Sequence, residues 1–276
     1  MKITINEAST MHASFEEDVR AYSAAGFTAI ELWLEKVGEY LKKHSLSDAG
    51  RLLSDNGLET AGACYHADVM VSEGEVRRRI LDEFRWKLDV CSALGAPVLI
   101  VPGDLFERDP VPADYERAVD GLAEAADIAN EYSIDLGIEF LQKARFIQTL
   151  RTALALARKT RKENVGLLID TFHLYAGKSK VEDILLADKG EITFVHINDM
   201  RDVPIELATD ADRVIPGEGI FPLYEMVRSV QRTGYSGYYS VELFNKDLWD
   251  MNPVEASKLI YEGTTAFFEK IRERDD

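Results

Sequence analysis

The sequence predicts an α/β protein folded as a (β/α)8 barrel, one domain spanning residues 1–276. Three observations predict it. Eight short apolar segments are bounded by Gly, Pro, Asp or Asn; the stretches between them carry apolar residues at three- and four-residue spacing; and 276 residues is about the length such a barrel needs.

The strand candidates, in order, are residues 2–8, 29–34, 58–65, 97–102, 135–141, 165–171, 192–199 and 237–244. Each is too short for a buried helix and is closed by turn residues. Helical spacing covers 76–94, 115–132, 149–161 and 223–233, and "AAGF", "DNGL", "ALGA" and "RTGYSG" supply the glycine that ends a helix before the next strand. An open doubly wound sheet is the alternative, but no GxGxxG follows the first strand and no GxxxxGK[ST] occurs. The longest irregular segment, 200–221, is long for a connection at a barrel mouth, where such loops often cover substrate.

Composition narrows the function. Hydrophobic residues make up 46% of the chain, enough for a sizeable core, yet no run approaches the 18 or so apolar residues of a membrane span. The amino terminus, "MKITINEAST", lacks the regions of a signal peptide, so a cytoplasmic location is expected, with no membrane partner. A formal charge of -17 opposes phosphate backbones and argues against nucleic acid. The basic run Arg77, Arg78 and Arg79 sits among acids and reads as a solvated helix face. Cys64 and Cys91 have no CxxC spacing and read as buried, reduced thiols.

The chemistry gathers at strand ends, which converge on one mouth in a barrel. In the second half these are "LGIEF" with Glu139, "GLLIDTFH" with Asp170, "ITFVHINDM" with His196 and "YYSVELF" with Glu242. A single acid there reads equally well as the cap of the following helix. Four in succession do not, since Glu caps poorly and three lie inside apolar sequence. Three carboxylates and an imidazole suit a divalent ion (Mn2+ or Zn2+, with Co2+ or Mg2+ also compatible) and lack the thiolates of a closed structural zinc site. Such an ion can chelate a carbonyl and a neighbouring hydroxyl, acidify the hydrogen between them and stabilise an enediolate. Glu139 and Glu242 are the candidate catalytic pair, one removing the proton and the other returning it at the adjacent carbon. Glu7 at the end of the first strand, Trp33 at the end of the second and His66 at the end of the third are candidate substrate contacts, each with an ordinary structural role as its alternative. His12 and His44 read as surface residues.

"DTFH", "VHIND" and "VELF" resemble the pattern of the xylose-isomerase-like barrel family of sugar isomerases and epimerases, and the likeness runs over nearly the whole chain. Within it, "NEAST", "EYLKKHSL", "ENVGLLIDTFH" and "DADRVIPGEG" are most similar to the inosose isomerases. The resemblance implies interconversion of 2-keto-myo-inositol and 1-keto-D-chiro-inositol, with Glu139, Asp170, His196 and Glu242 as metal ligands. It also implies that His173 contacts a substrate hydroxyl and that Arg213 reaches substrate from its loop. A small keto-cyclitol or keto-sugar is the expected partner, and a homo-oligomer is compatible.

Asp199 and Asp202 stand where the ketose 3-epimerases of the family carry Glu and Arg, which counts against a free-ketose epimerase. "LQKARF" departs from the inosose isomerases, leaving room for another substrate. The alternatives are an epimerase, a dehydratase or a C-glycoside-cleaving lyase with a partner subunit. An apurinic-site endonuclease is disfavoured by the charge, and a non-catalytic barrel by the presence of all four ligands.

Overall fold

Lys2–Asn6, Ala29–Trp33, Glu59–Cys64, Val98–Pro102, Asp135–Glu139, Val165–Asp170, Ile192–Ile197 and Tyr238–Val241 run parallel in chain order, and the first is hydrogen-bonded to both the second and the last. The sheet therefore closes into an eight-stranded barrel. The structure, a computed structural model, describes residues 1–104, 106 and 108–274. Every barrel strand lies within a segment expected from the apolar runs.

Helices wrap the outside. Those anticipated from spacing are Gly74–Leu94, Pro112–Asn130, Leu150–Thr160 and Leu223–Arg232; Phe15–Ala25, Leu34–Leu41, Leu46–Asp55 and Pro253–Glu273 complete the layer. Local chemistry sets their limits. Ser14 with Glu17 and Ser45 with Asp48 form reciprocal capping boxes, and Gly26 and Gly95 end helices in the left-handed conformation that a side chain resists. Between the sixth and seventh strands the helical layer shrinks to Thr171–Ala176 and a 3-10 turn, Val181–Leu186. Among the described residues no helix is long and apolar enough to cross a membrane.

The barrel interior is filled by Ala29, Ala61, Cys64, Val98, Ile100, Leu168 and Phe194, a layer separate from the larger core between strands and helices. Phe194 fills the floor because Gly62 makes room: a Cβ there would meet its ring at 3.1 Å. Above this apolar layer the register sets polar residues side by side, Asn6 next to Glu31 and Asp170 next to His196.

The segment expected to be irregular is partly ordered. Asp199–Met200 pairs antiparallel with Arg213–Val214, and the Asp199 carboxylate accepts from the backbone N–H groups of Met200, Gly217 and Phe221 at 2.9, 3.2 and 2.9 Å. This staple folds the loop back and delivers Arg213 into the mouth.

Candidate metal centre

Glu139 ends the fifth strand, Asp170 the sixth, His196 lies in the seventh and Glu242 follows the eighth. All four are buried, and one ligand-competent atom from each lies within 4.8 Å of the others.

Asp170 answers the choice between helix cap and functional group by being both. Its Oδ1 accepts the backbone N–H of His173 at 2.9 Å, starting the helix Thr171–Ala176, while Oδ2 faces the mouth and accepts from Asn198 Nδ2 at 3.3 Å and Arg213 Nη1 at 2.8 Å. The capping bond fixes the rotamer that turns the second oxygen inward.

His196 is oriented from behind. Its Nε2 contacts both oxygens of Glu31, at 2.9 and 3.1 Å, and neither side chain is exposed. Its Nδ1 is buried without a hydrogen-bond partner, facing Glu242 Oε2 at 3.2 Å, Asp170 Oδ2 at 3.7 Å and Glu139 Oε1 at 3.8 Å. Buried polar atoms are rarely left unpaired, because the lost hydration is not replaced. An imidazole nitrogen aimed among three carboxylates is what a divalent cation would satisfy. Charge points the same way: among the described residues, four buried carboxylates (Glu31, Glu139, Asp170 and Glu242) meet one guanidinium and two imidazoles, His173 and His196. The donor set, three oxygens and one nitrogen with no thiolate among the four, could hold such an ion with positions left for substrate.

The titrations express this crowding. Burial raises the Glu139 carboxyl above the usual carboxylate range, with His196 and His173 opposing it. Burial would raise Glu242 as well, but His196 and Arg213 outweigh it and hold that carboxyl down to about 2. The His196 imidazole is pushed down by burial, yet Glu242 and Glu31 leave it well above the ordinary histidine value.

The centre lies at the base of a cavity of about 410 Å3, a volume suited to a single small ring. Trp33, Tyr65 and Phe244 wall it, with the Trp33 ring centroid 5.3 Å from that of Tyr65 and 6.2 Å from that of Phe244. His173 lines the cavity too, its Nδ1 accepting from Gln142 N at 3.4 Å and its Nε2 lying 3.7 Å from Glu139 Oε1. Arg213 lines the cavity, but its donors are largely engaged with protein acids: Nη1 bridges Asp170 and Glu242, and Nη2 holds Asp210 at 2.7 Å.

Two expected contacts lie elsewhere. His66 is buried against Phe84, ring centroids 5.0 Å apart, on the helical side of the barrel wall, and it is not among the lining residues. The chain turns just after the third strand, so Tyr65 and Ala67 reach the mouth and His66 points away. Glu7 is likewise absent from the lining: its Oε2 accepts the backbone N–H of Trp33 at 2.7 Å, within a buried group that includes Lys36 and Asp18. Its role is to hold Trp33 in place from behind. His12 and His44 are exposed as expected.

The residue missed from sequence is Glu31. It sits in the middle of "AIELW", and a carboxylate inside a five-residue apolar strand was the available signal. Nothing in the sequence around Cys64 signals more than a buried thiol. Both cysteines are indeed free and buried, but Cys64 Sγ donates to Glu31 Oε1 at 2.9 Å and borders the cavity.

Comparison with known proteins places these residues in context. A family model described as "Xylose isomerase-like TIM barrel" matches residues 19–269. The chain is 29% identical over 276 residues to an inosose isomerase of Bacillus velezensis, covering 98% of each chain. It is 28% identical to an inosose isomerase of Halalkalibacterium halodurans, covering 98% of this chain and 97% of that one. Among solved structures, the crystal structure of the IolI protein with a binding zinc atom superposes with a TM-score of 0.92 at 28% identity, covering 98% of this chain and 99% of that one.

Proposed function

The chain belongs to the xylose isomerase-like TIM barrel family, and from that premise we propose that it is a metal-dependent cyclitol isomerase interconverting 2-keto-myo-inositol and 1-keto-D-chiro-inositol. One observation carries the reading: the buried, unpaired Nδ1 of His196 faces Glu139, Asp170 and Glu242 at the base of a ring-sized cavity. The full-length likeness to two inosose isomerases supports the choice of substrate.

Glu139, Asp170, His196 and Glu242 would hold the ion, and the zinc in the related IolI structure makes zinc a natural first metal to test. When bound, a divalent ion supplies Lewis-acid polarisation of a ketone and its neighbouring hydroxyl. The protein supplies proton transfer and orientation. Glu139 and Glu242 come from strands separated by the sixth and seventh, so a ring seated in the cavity presents adjacent carbons to a carboxylate on either side. One takes the proton and the other returns it. His173, with Nδ1 accepting from the Gln142 backbone and Nε2 lying 3.3 Å from Arg213 Nη2, lines the cavity where it would contact a substrate hydroxyl. Trp33, Tyr65 and Phe244 exclude water and offer faces to the ring C–H bonds.

Proton NMR of 2-keto-myo-inositol incubated with zinc- or manganese-loaded protein in D2O tests the proposal. The expected result is appearance of 1-keto-D-chiro-inositol with deuterium at the exchanging carbon. A metal-loaded protein that leaves the substrate unchanged overturns the assignment. Glu242→Gln should lower turnover by on the order of 100-fold or more; near-normal turnover with metal still bound removes Glu242 from the proton-transfer pair.

A further inference from the structure

The strands that contribute none of the four candidate ligands carry buried polar groups that reach across to the strands that do. Glu31, on the second strand, accepts from Cys64 Sγ of the third strand at 2.9 Å and from Ser240 Oγ of the eighth at 2.5 Å, and it contacts His196 Nε2 of the seventh at 2.9 Å. Asn6, ending the first strand, donates to Glu242 Oε1 at 3.3 Å and to Cys64 Sγ at 3.4 Å. None of the Glu31, His196, Ser240 or Asn6 side chains is exposed.

An imidazole can offer a lone pair from one nitrogen only while it carries its proton on the other. Because Glu31 is a pure acceptor when ionised, a hydrogen bond to it requires the proton on His196 Nε2. Cys64 and Ser240 keep Glu31 in that role, since each donates to one of its oxygens and so fixes the carboxylate plane. The geometry points to Glu31 as the positioning residue of the centre: it holds His196 in the Nε2–H form and aims Nδ1 at the space shared by Glu139, Asp170 and Glu242. Carboxylates that orient metal-binding histidines in this way typically contribute ~10- to 100-fold to metal affinity. Glu31 touches neither the cavity nor, by this reading, the substrate, and its effect passes through His196 alone.

This inference rests on the metal reading above, and its test separates the two. Zinc affinity is measured by competition with a chromophoric chelator for the wild type, Glu31→Gln and His196→Ala. Far-UV circular dichroism and thermal melting of the zinc-free proteins serve as the structural control. Expected are tight, stoichiometric binding by the wild type, loss of binding in His196→Ala, and affinity ~10- to 100-fold weaker in Glu31→Gln with its fold intact. Proton NMR of the zinc-loaded wild type should show a slowly exchanging, downfield imidazole N–H from His196 Nε2, moved upfield and exchanging faster in Glu31→Gln, whose neutral amide is a weaker acceptor. A merely structural role would not move that signal. A wild type that binds no zinc defeats the metal reading itself. A wild type that binds zinc alongside a Glu31→Gln variant of equal affinity defeats the positioning role alone. If Glu31→Gln does not fold, Ser240→Ala decides, because it frees one oxygen of Glu31 without removing the charge: weaker zinc binding supports the role, and unchanged affinity overturns it.

Discussion

Arg213 Nη1 lies 2.7 Å from Glu242 Oε2, and the same nitrogen reaches Asp170 Oδ2 at 2.8 Å, all inside the barrel mouth where the arginine is 1% exposed. A guanidinium buried this way balances two carboxylates that otherwise repel. Removing one partner of a buried ion pair costs far more than the pair contributes, because the remaining charge loses both partner and water. In chelator-treated protein, Arg213→Ala is therefore expected to destabilise the fold by roughly 3–5 kcal/mol, measured by urea unfolding. Arg213→Lys should fall between, since one ammonium cannot reproduce the fork that spans Asp170, Glu242 and Asp210.

Metal removal gives a second expectation. Dialysis against EDTA should abolish isomerase turnover, and adding zinc or manganese should restore it. The same addition should raise thermal stability, because a ligand bound only by the folded state contributes about 2.7 kcal/mol at a hundred times its dissociation constant. Turnover that survives complete chelation contradicts the proposed chemistry. Scanning calorimetry with and without zinc checks the stability arm.

His173 divides contact from ligand. It lines the cavity but stands outside the cluster of four, so His173→Asn should bind zinc as the wild type does while kcat/KM falls on the order of 100-fold. Zinc stoichiometry and initial rates on the same preparation provide the check. Loss of zinc together with activity would move His173 into the ligand set.

His66 predicts a pH effect remote from the mouth. Burial, with Lys87 acting in the same direction, pushes its imidazole down to about 4. The unfolded chain takes up that proton near pH 6.5, whereas the folded protein resists it until about pH 4, so the unfolded state binds more protons between the two. Stability is thus fully present above pH 6.5 and declines as the pH falls through that window, by roughly 3 kcal/mol at its lower end. His66→Phe, measured by urea unfolding at pH 7.5 and pH 4.5, should lose less stability than the wild type over the same interval. Equal losses would show that His66 charges freely in the folded state.

The barrel and the four convergent residues could be read from the chain because both are written locally. An apolar run that stops on a carboxylate or an imidazole is visible in a few residues, and the closed topology brings those stops together. Side-chain direction is not written in this way. Glu7 and His66 also follow apolar runs, yet one turns back to hold the Trp33 backbone and the other packs on Phe84. Glu31 went unread for the converse reason. It interrupts a strand that looked like core, and its partners Cys64, His196 and Ser240 lie on three other strands, so only the closed barrel shows why a charge belongs there.

The bond between Asn6 and Glu242 spans 236 residues and joins the first strand to the turn after the last. Because synthesis runs from Asn6 toward Glu242, that bond can form only after both partners have been made. Glu139, Asp170 and His196 leave the ribosome while the sheet still has an open seam, and Glu242 follows His196 by 46 residues. A nascent chain halted before Tyr238 carries three of the four acceptors and no wall beside Asn6 against which to seat a fourth. On the metal reading, the full ligand set is therefore complete only once Glu242 has been made and seated. Joining residue 276 to residue 1 and reopening the circle between two central strands would bring residues 6 and 242 together early, shifting that moment without altering a single side chain in the mouth.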